Sequence, residues 1–165
     1  MEKVVRIESM VNAQVSIAIP TLNLRRSWER KGAIQQIEFK DLEMAFYEPG
    51  VEGLLRGGIL YINDEEARVA LGLEDKENGI SIIKMDAAKS KEVLEEMSLK
   101  DFKELLEKLT PSQLEDLADE AVKLRLTDLN KAEAIKNKSG INVAAKVLVA
   151  KEDDAEKAKA NAEKK

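Results

Sequence analysis

The side chains best suited to chemistry in this chain are three acidic pairs and one basic–aromatic cluster. The pairs are Glu95–Glu96, Glu115–Asp116 and Asp119–Glu120. Two carboxylates in one cleft can hydrolyse a glycosidic bond, and several carboxylate oxygens together can hold a divalent cation. On a helix whose opposite face is apolar, the same acids form a solvated surface. Leu114, Leu117, Ala118, Ala121 and Val122 make such an apolar stripe beside two of these pairs, so a solvated face is the expectation. The chain has no histidine and no cysteine. Those two residues supply most acid–base, nucleophilic and transition-metal chemistry near neutral pH. Catalysis is therefore not expected, and neither is a cofactor, a bound metal or a small-molecule substrate.

Arg25, Arg26, Arg30 and Lys31 surround Trp28, the single tryptophan. Guanidinium groups beside an indole can clamp phosphate while a base stacks on the ring. Arginine and tryptophan also anchor protein interfaces. A third reading makes Trp28 a core side chain at a strand end, with solvated arginines around it. Residues 1–62 carry eight basic and eight acidic side chains, and the net charge of the chain is −5. Nucleic-acid-binding domains are normally basic, so nucleic acid is not the expected partner. Arg25, Arg26, Trp28, Arg30 and Lys31 are the expected partner-binding set, facing another protein. Charge reversal at Arg25 and Arg26 is expected to weaken docking without unfolding the chain.

The run Glu48–Gly58 is rich in glycine but lacks the glycine–lysine–serine/threonine ending of a phosphate loop. Turn formation accounts for it. The segments Lys40–Tyr47 and Gly50–Arg56 could imitate a DNA-reading helix pair. The second would offer Val51, Leu54 and Leu55 with one basic residue, which suits burial better than a groove in DNA.

These residues need elements to hold them, and composition divides the chain into unlike halves. Seven of the eight glycines, and every aromatic residue except Phe102, precede residue 80. This half is expected to contain the β structure. Strands are predicted at Lys3–Ile7, Gln14–Ile19, Thr21–Trp28, Ala33–Phe39 and Ile59–Ile62, with a turn around Asn12 and a break at Pro20. So many short strands close together suggest a small, strongly bent sheet or partial barrel. Short helices are predicted at Lys40–Tyr47, Gly50–Arg56 and, capped by Asn63–Asp64, up to Leu71. Gly72–Gly79 reads as a linker or exposed loop, followed by the apolar piece Ile80–Ile83.

The second half is rich in lysine, glutamate, leucine and alanine. Asp86 can cap a helix to Met97, and Ser98 with Asp101 a helix over Leu99–Leu109. Thr110–Pro111 is a strong start for a helix to Leu124. Thr127–Asp128 begins another, which Ser139–Gly140 ends. Ile141–Val149 reads as a last helix or a β segment. Lys151–Lys165 has alanine as its only apolar residue and is expected to lack structure when the protein is alone.

The fold class is therefore α+β: a small bent β domain over 1–72, a linker with a short apolar segment over 73–85, a bundle of about four helices over 86–150 and a flexible charged tail over 151–165. No stretch approaches the ~20 apolar residues of a membrane span. The leading MEKVVRIESM is too polar for a signal peptide. The cytoplasm, or a particle assembled there, is the expected location.

The segments Ser9–Val15, Ile19–Arg26, Phe39–Glu43, Tyr47–Gly50, Leu60–Glu66, Leu117–Leu126 and Leu129–Val143 run in order through most of the chain. Together they resemble an uncharacterised structural-protein family of tailed bacteriophages infecting Gram-positive bacteria. The sequence departs from the family pattern at Trp28 and in the lysine–glutamate tail. The resemblance implies a virion structural or assembly protein, capsid-associated or part of the neck or tail, which docks to many copies of other virion proteins. The rival expectation is a nucleic-acid-binding regulator made during infection, and it requires an exposed Trp28.

Overall fold

Alternation of apolar side chains along β1 (Val4–Ser9) makes it the central strand of the first half: Val5, Ile7 and Ser9 turn inward while Val4 and Arg6 face out. The computed structural model describes residues 3–163, in two compact units, Met1–Ala87 and Ala88–Lys165. The outermost residues of the predicted 1–72 domain and 151–165 tail lie outside the described residues. The fold is α+β, with eight helices and five strands among the described residues.

In the first unit β1 pairs antiparallel with β4 (Ile34–Glu38) and with β5 (Leu60–Ile62), giving the order β4-β1-β5. β2 (Val15–Ile19) and β3 (Leu24–Trp28) form a separate antiparallel hairpin. Pro20–Leu22 makes a 3-10 turn between them, closed by Asn23 in the left-handed region, whose N–H donates to the Pro20 carbonyl at 3.0 Å. The predicted third strand thus starts at Leu24, because Pro20 ends the ladder and the turn takes the next residues.

The five strands do not close into a barrel, which corrects the partial-barrel expectation. Side chains, not a backbone ladder, join β3 to β4. The Gln35 amide donates to the Ser27 carbonyl at 2.6 Å, and Arg26 Nε donates to the Gln36 carbonyl at 3.1 Å. One continuous core lies under both sheets, with Trp28, Ile7, Ile37 and Leu60 from strands meeting Leu42 and Leu55 from helices. Those helices are α1 (Phe39–Phe46) and α2 (Val51–Arg56), separated by a turn in which Gly50 takes φ +94. Glycine adopts that conformation without the penalty a side chain would bring.

α3 (Glu65–Ala70) is capped by Asp64, whose carboxylate accepts from the Ala67 N–H at 2.9 Å and faces Lys3 at 3.1 Å. The Ala67 amide, ahead of the Lys3 ammonium, holds the Asp64 carboxyl below the usual carboxylate range. Because the folded value lies below the unfolded one of ~3.9, the cap stabilises above that pH and is lost as pH falls through the folded value. Asp64→Ala is expected to cost about 1 kcal/mol at neutral pH. Trp28 fluorescence in urea reads this unit, since no other tryptophan is present. The difference should shrink toward zero in strong acid; an equal difference at both extremes removes the assignment.

Residues 73–85 fall within the first unit and hold turns and one isolated bridge without a helix or strand. Leu73 and Met85 are buried, Arg68 pairs with Glu74 at 3.2 Å, and Asp75 bridges Ile80. The loop expected over Gly72–Gly79 is present as turns, and the two buried apolar residues of the stretch lie twelve positions apart and follow no local period.

The second unit holds α4 (Ala87–Glu95), α5 (Leu99–Lys108), α6 (Pro111–Lys123), α7 (Leu129–Ser139) and α8 (Val143–Glu163). Ser98 accepts from the Asp101 N–H, and Thr110 with Gln113 forms a full capping box. Asp128 caps α7, and Gly140 ends it at φ +81. Leu114, Leu117, Ala118 and Ala121 form the buried stripe of α6. The charged stretch from Lys151 is helical through Glu163, which corrects the unstructured tail. Alanine, lysine and glutamate favour helix intrinsically, and Arg125 grips Asp154 with two hydrogen bonds of 2.9 and 3.0 Å. Among the described residues no helix is long and apolar enough to cross a membrane.

Candidate functional site

β3 carries three of the five predicted partner-binding residues, and the pleat separates them. Leu24, Arg26 and Trp28 share one face, while Arg25 and Ser27 share the other. Trp28 is fully buried, and its Nε1–H donates to the Ile7 carbonyl at 2.8 Å. It cannot touch a partner, which corrects its place in the predicted set. The reason is that β1 offers both an apolar wall and a hydrogen-bond acceptor for the indole, so burial leaves no polar atom unpaired.

Arg26 is also occupied. Besides the Gln36 contact, its guanidinium donates to the Arg25 carbonyl at 2.8 Å. Reversing its charge would set a carboxylate against two carbonyl oxygens, so that variant tests structure as much as docking. Arg30 and Lys31 lie in the turn before β4, where Gly32 takes φ +90 and donates to the Ser9 carbonyl at 2.8 Å. Arg25 and Arg30 are exposed and Lys31 is half-buried. The five residues do not converge on one surface.

A different site appears on the far side of the hairpin. The outer edge of β2 and the turn between α1 and α2 enclose a groove of about 480 Å3. Ser16 to Thr21 line one wall, and Glu48 to Val51 with Leu54 line the other. Val51 is buried and Leu54 half-buried, giving an apolar floor. Glu48 is the one charged residue in the lining. Among the described residues β2 has a strand partner on one side only.

The acidic pairs behave as the solvated-face reading expects, with two exceptions. Glu95, Glu96, Glu115 and Asp119 are exposed, whereas Asp116 is buried and Glu120 half-buried. No group of three or more acidic side chains placed to hold a metal ion occurs among the described residues.

The groove was not among the sequence-based candidates. The signals for it were present: Val15–Ile19 is a strand sequence with no charge, and Pro49–Gly50 guarantees a turn. That the two should face each other is a tertiary fact. No protein-family model, curated protein or solved structure matches this chain.

Proposed function

We propose that this chain is a structural or assembly protein of a tailed-bacteriophage virion, a capsid-associated, neck or tail component that docks to other virion proteins. The observation that carries this reading is the open β2 edge beside an apolar groove. An uncharged strand edge is a surface that natural proteins otherwise protect, and its exposure suits a chain that meets a protein partner. The order of the segments quoted above supports the phage assignment. The virion, assembled in the host cytoplasm, is then its place, and its work involves no membrane and no turnover of a small substrate.

The regulator reading loses its main support because a buried indole offers no stacking platform. Mass spectrometry of purified virions and of purified assembly intermediates tests the proposal. The protein is expected in one or both at a copy number comparable with known structural components. Absence from both overturns it.

A further inference from the structure

The backbone geometry of the β2–β3 hairpin fixes which groups stand on its open edge. In an antiparallel pair, residues directly opposite each other either exchange both hydrogen bonds or turn both sets of backbone groups outward. The Ser27 carbonyl is taken by the Gln35 side chain and the Arg25 carbonyl by the Arg26 guanidinium, which itself reaches β4. Ser27 and Arg25 therefore direct their backbone groups away from β2. Their opposites are Ser16 and Ala18, whose N–H and C=O groups consequently face the other way, into the groove. The side-chain contact between Ser16 Oγ and Ser27 Oγ at 3.0 Å fits the closer spacing of such a pair.

Each of the other edges carries at least one side-chain contact to a backbone carbonyl. β3 and β4 shield each other through Gln35 and Arg26, and β5 is three residues long with the Ile62 carbonyl held by Arg68 at 2.6 Å. β2 carries none of the usual guards, neither a charge nor a proline within Val15–Ile19.

We propose that this edge takes up an extended, apolar segment of a partner protein by strand addition, with a basic group of that segment against Glu48. This rests on the docking reading above and says how the docking occurs. A second copy of β2 does not fit the site. Ile17 and Ile19 are already packed in their own core, so they cannot also fill the floor at Val51 and Leu54 of another molecule. The segment must bring free alternate side chains to that floor. Glu48, alone among the lining residues in carrying charge, selects a cation at the rim.

The test uses the full chain, isotope-labelled, and two synthetic peptides of alternating valine and threonine with lysine at one end or the other. At least one is expected to shift the Ser16 and Ala18 amide signals and slow their exchange with solvent. Replacing its lysine with glutamate should weaken binding about two- to fivefold, the size of an exposed ion pair. Glu48→Lys should reverse that preference. Ala18→Pro removes one outward donor while the bonded pairs at Ile17 and Ile19 stay, and edge strands tolerate such a proline. It should weaken binding by more than about tenfold, roughly the worth of one hydrogen bond, with little change in the urea midpoint. Ser16 and Ala18 amides that stay unmoved at peptide excess would overturn the proposal. So would protection that rises with protein concentration in the absence of peptide, which would mean self-pairing. A protein found in virions whose β2 amides ignore both peptides would keep the virion reading and lose this one; the opposite pair of results would do the reverse.

Discussion

Trp28→Ala is expected to destabilise the first unit by about 3–5 kcal/mol, the cost of emptying a large aromatic site in a packed core. Small domains are stable by only about 5–15 kcal/mol in total, so much of that unit should unfold in mild denaturant. Two losses combine. The indole is completely buried among Ile7, Leu24 and Ile37 in the core, and the Ile7 carbonyl loses the donor that reaches it at 2.8 Å. Trp28→Phe separates them, since it keeps most of the apolar volume and removes the N–H. It should cost about 1–3 kcal/mol, the penalty of an unsatisfied buried acceptor plus a smaller packing defect. The measurement is the urea midpoint, followed by dispersion of the β1–β5 amide signals. If Trp28→Ala changes that midpoint by less than about 1 kcal/mol, the indole is not the keystone of this core.

Lys131→Met should cost the second unit about 2–3 kcal/mol. Lys131 is 3% exposed, although lysine is almost never buried without a partner. Its ammonium donates to the carbonyls of Val93 and Leu94 at 3.2 and 3.0 Å and lies 5.5 Å from the centre of the Phe102 ring. Those carbonyls belong to the last turn of α4, where they have no intrahelical donor and where the helix dipole favours a cation. Lys131 stands in the first turn of its own helix, α7, the end where a positive charge is disfavoured. The fold accepts that cost because the α4 terminus offers more. Methionine keeps the stem and removes the donors, leaving two buried acceptors unpaired. The readout is the thermal midpoint of helical circular dichroism, together with hydrogen exchange of the Glu96 and Met97 amides that close α4. Unchanged protection at those amides would mean that α4 ends securely without the lysine.

Local chemistry was legible wherever its partners lie within a few residues. Ser98, Thr110–Pro111, Asp128 and Gly140 mark helix ends that the structure places where their side chains and backbone freedom require. The α6 stripe follows from a helical period alone. The strands, too, were announced by β-branched runs, although Pro20 shortened one of them. The candidate site was less legible. Arg25, Arg26, Trp28, Arg30 and Lys31 are neighbours in sequence, but a pleated strand sends successive side chains to opposite faces. Proximity along the chain was thus misleading about proximity in space.

By itself the sequence determined the α+β composition, the division into a glycine- and aromatic-rich half and a helical half, and most helix boundaries, because capping and periodicity act over one or two turns. Only the tertiary structure decided that Trp28 is interior, that Arg26 closes one edge, that Lys131 terminates a distant helix and that β2 is left open. Each of these depends on contacts such as Trp28 with Ile7 or Lys131 with Val93, separated by 21 and 38 positions. Whether a side chain is buried or an edge is covered is set by what the rest of the chain brings against it, and no local pattern of residues carries that information.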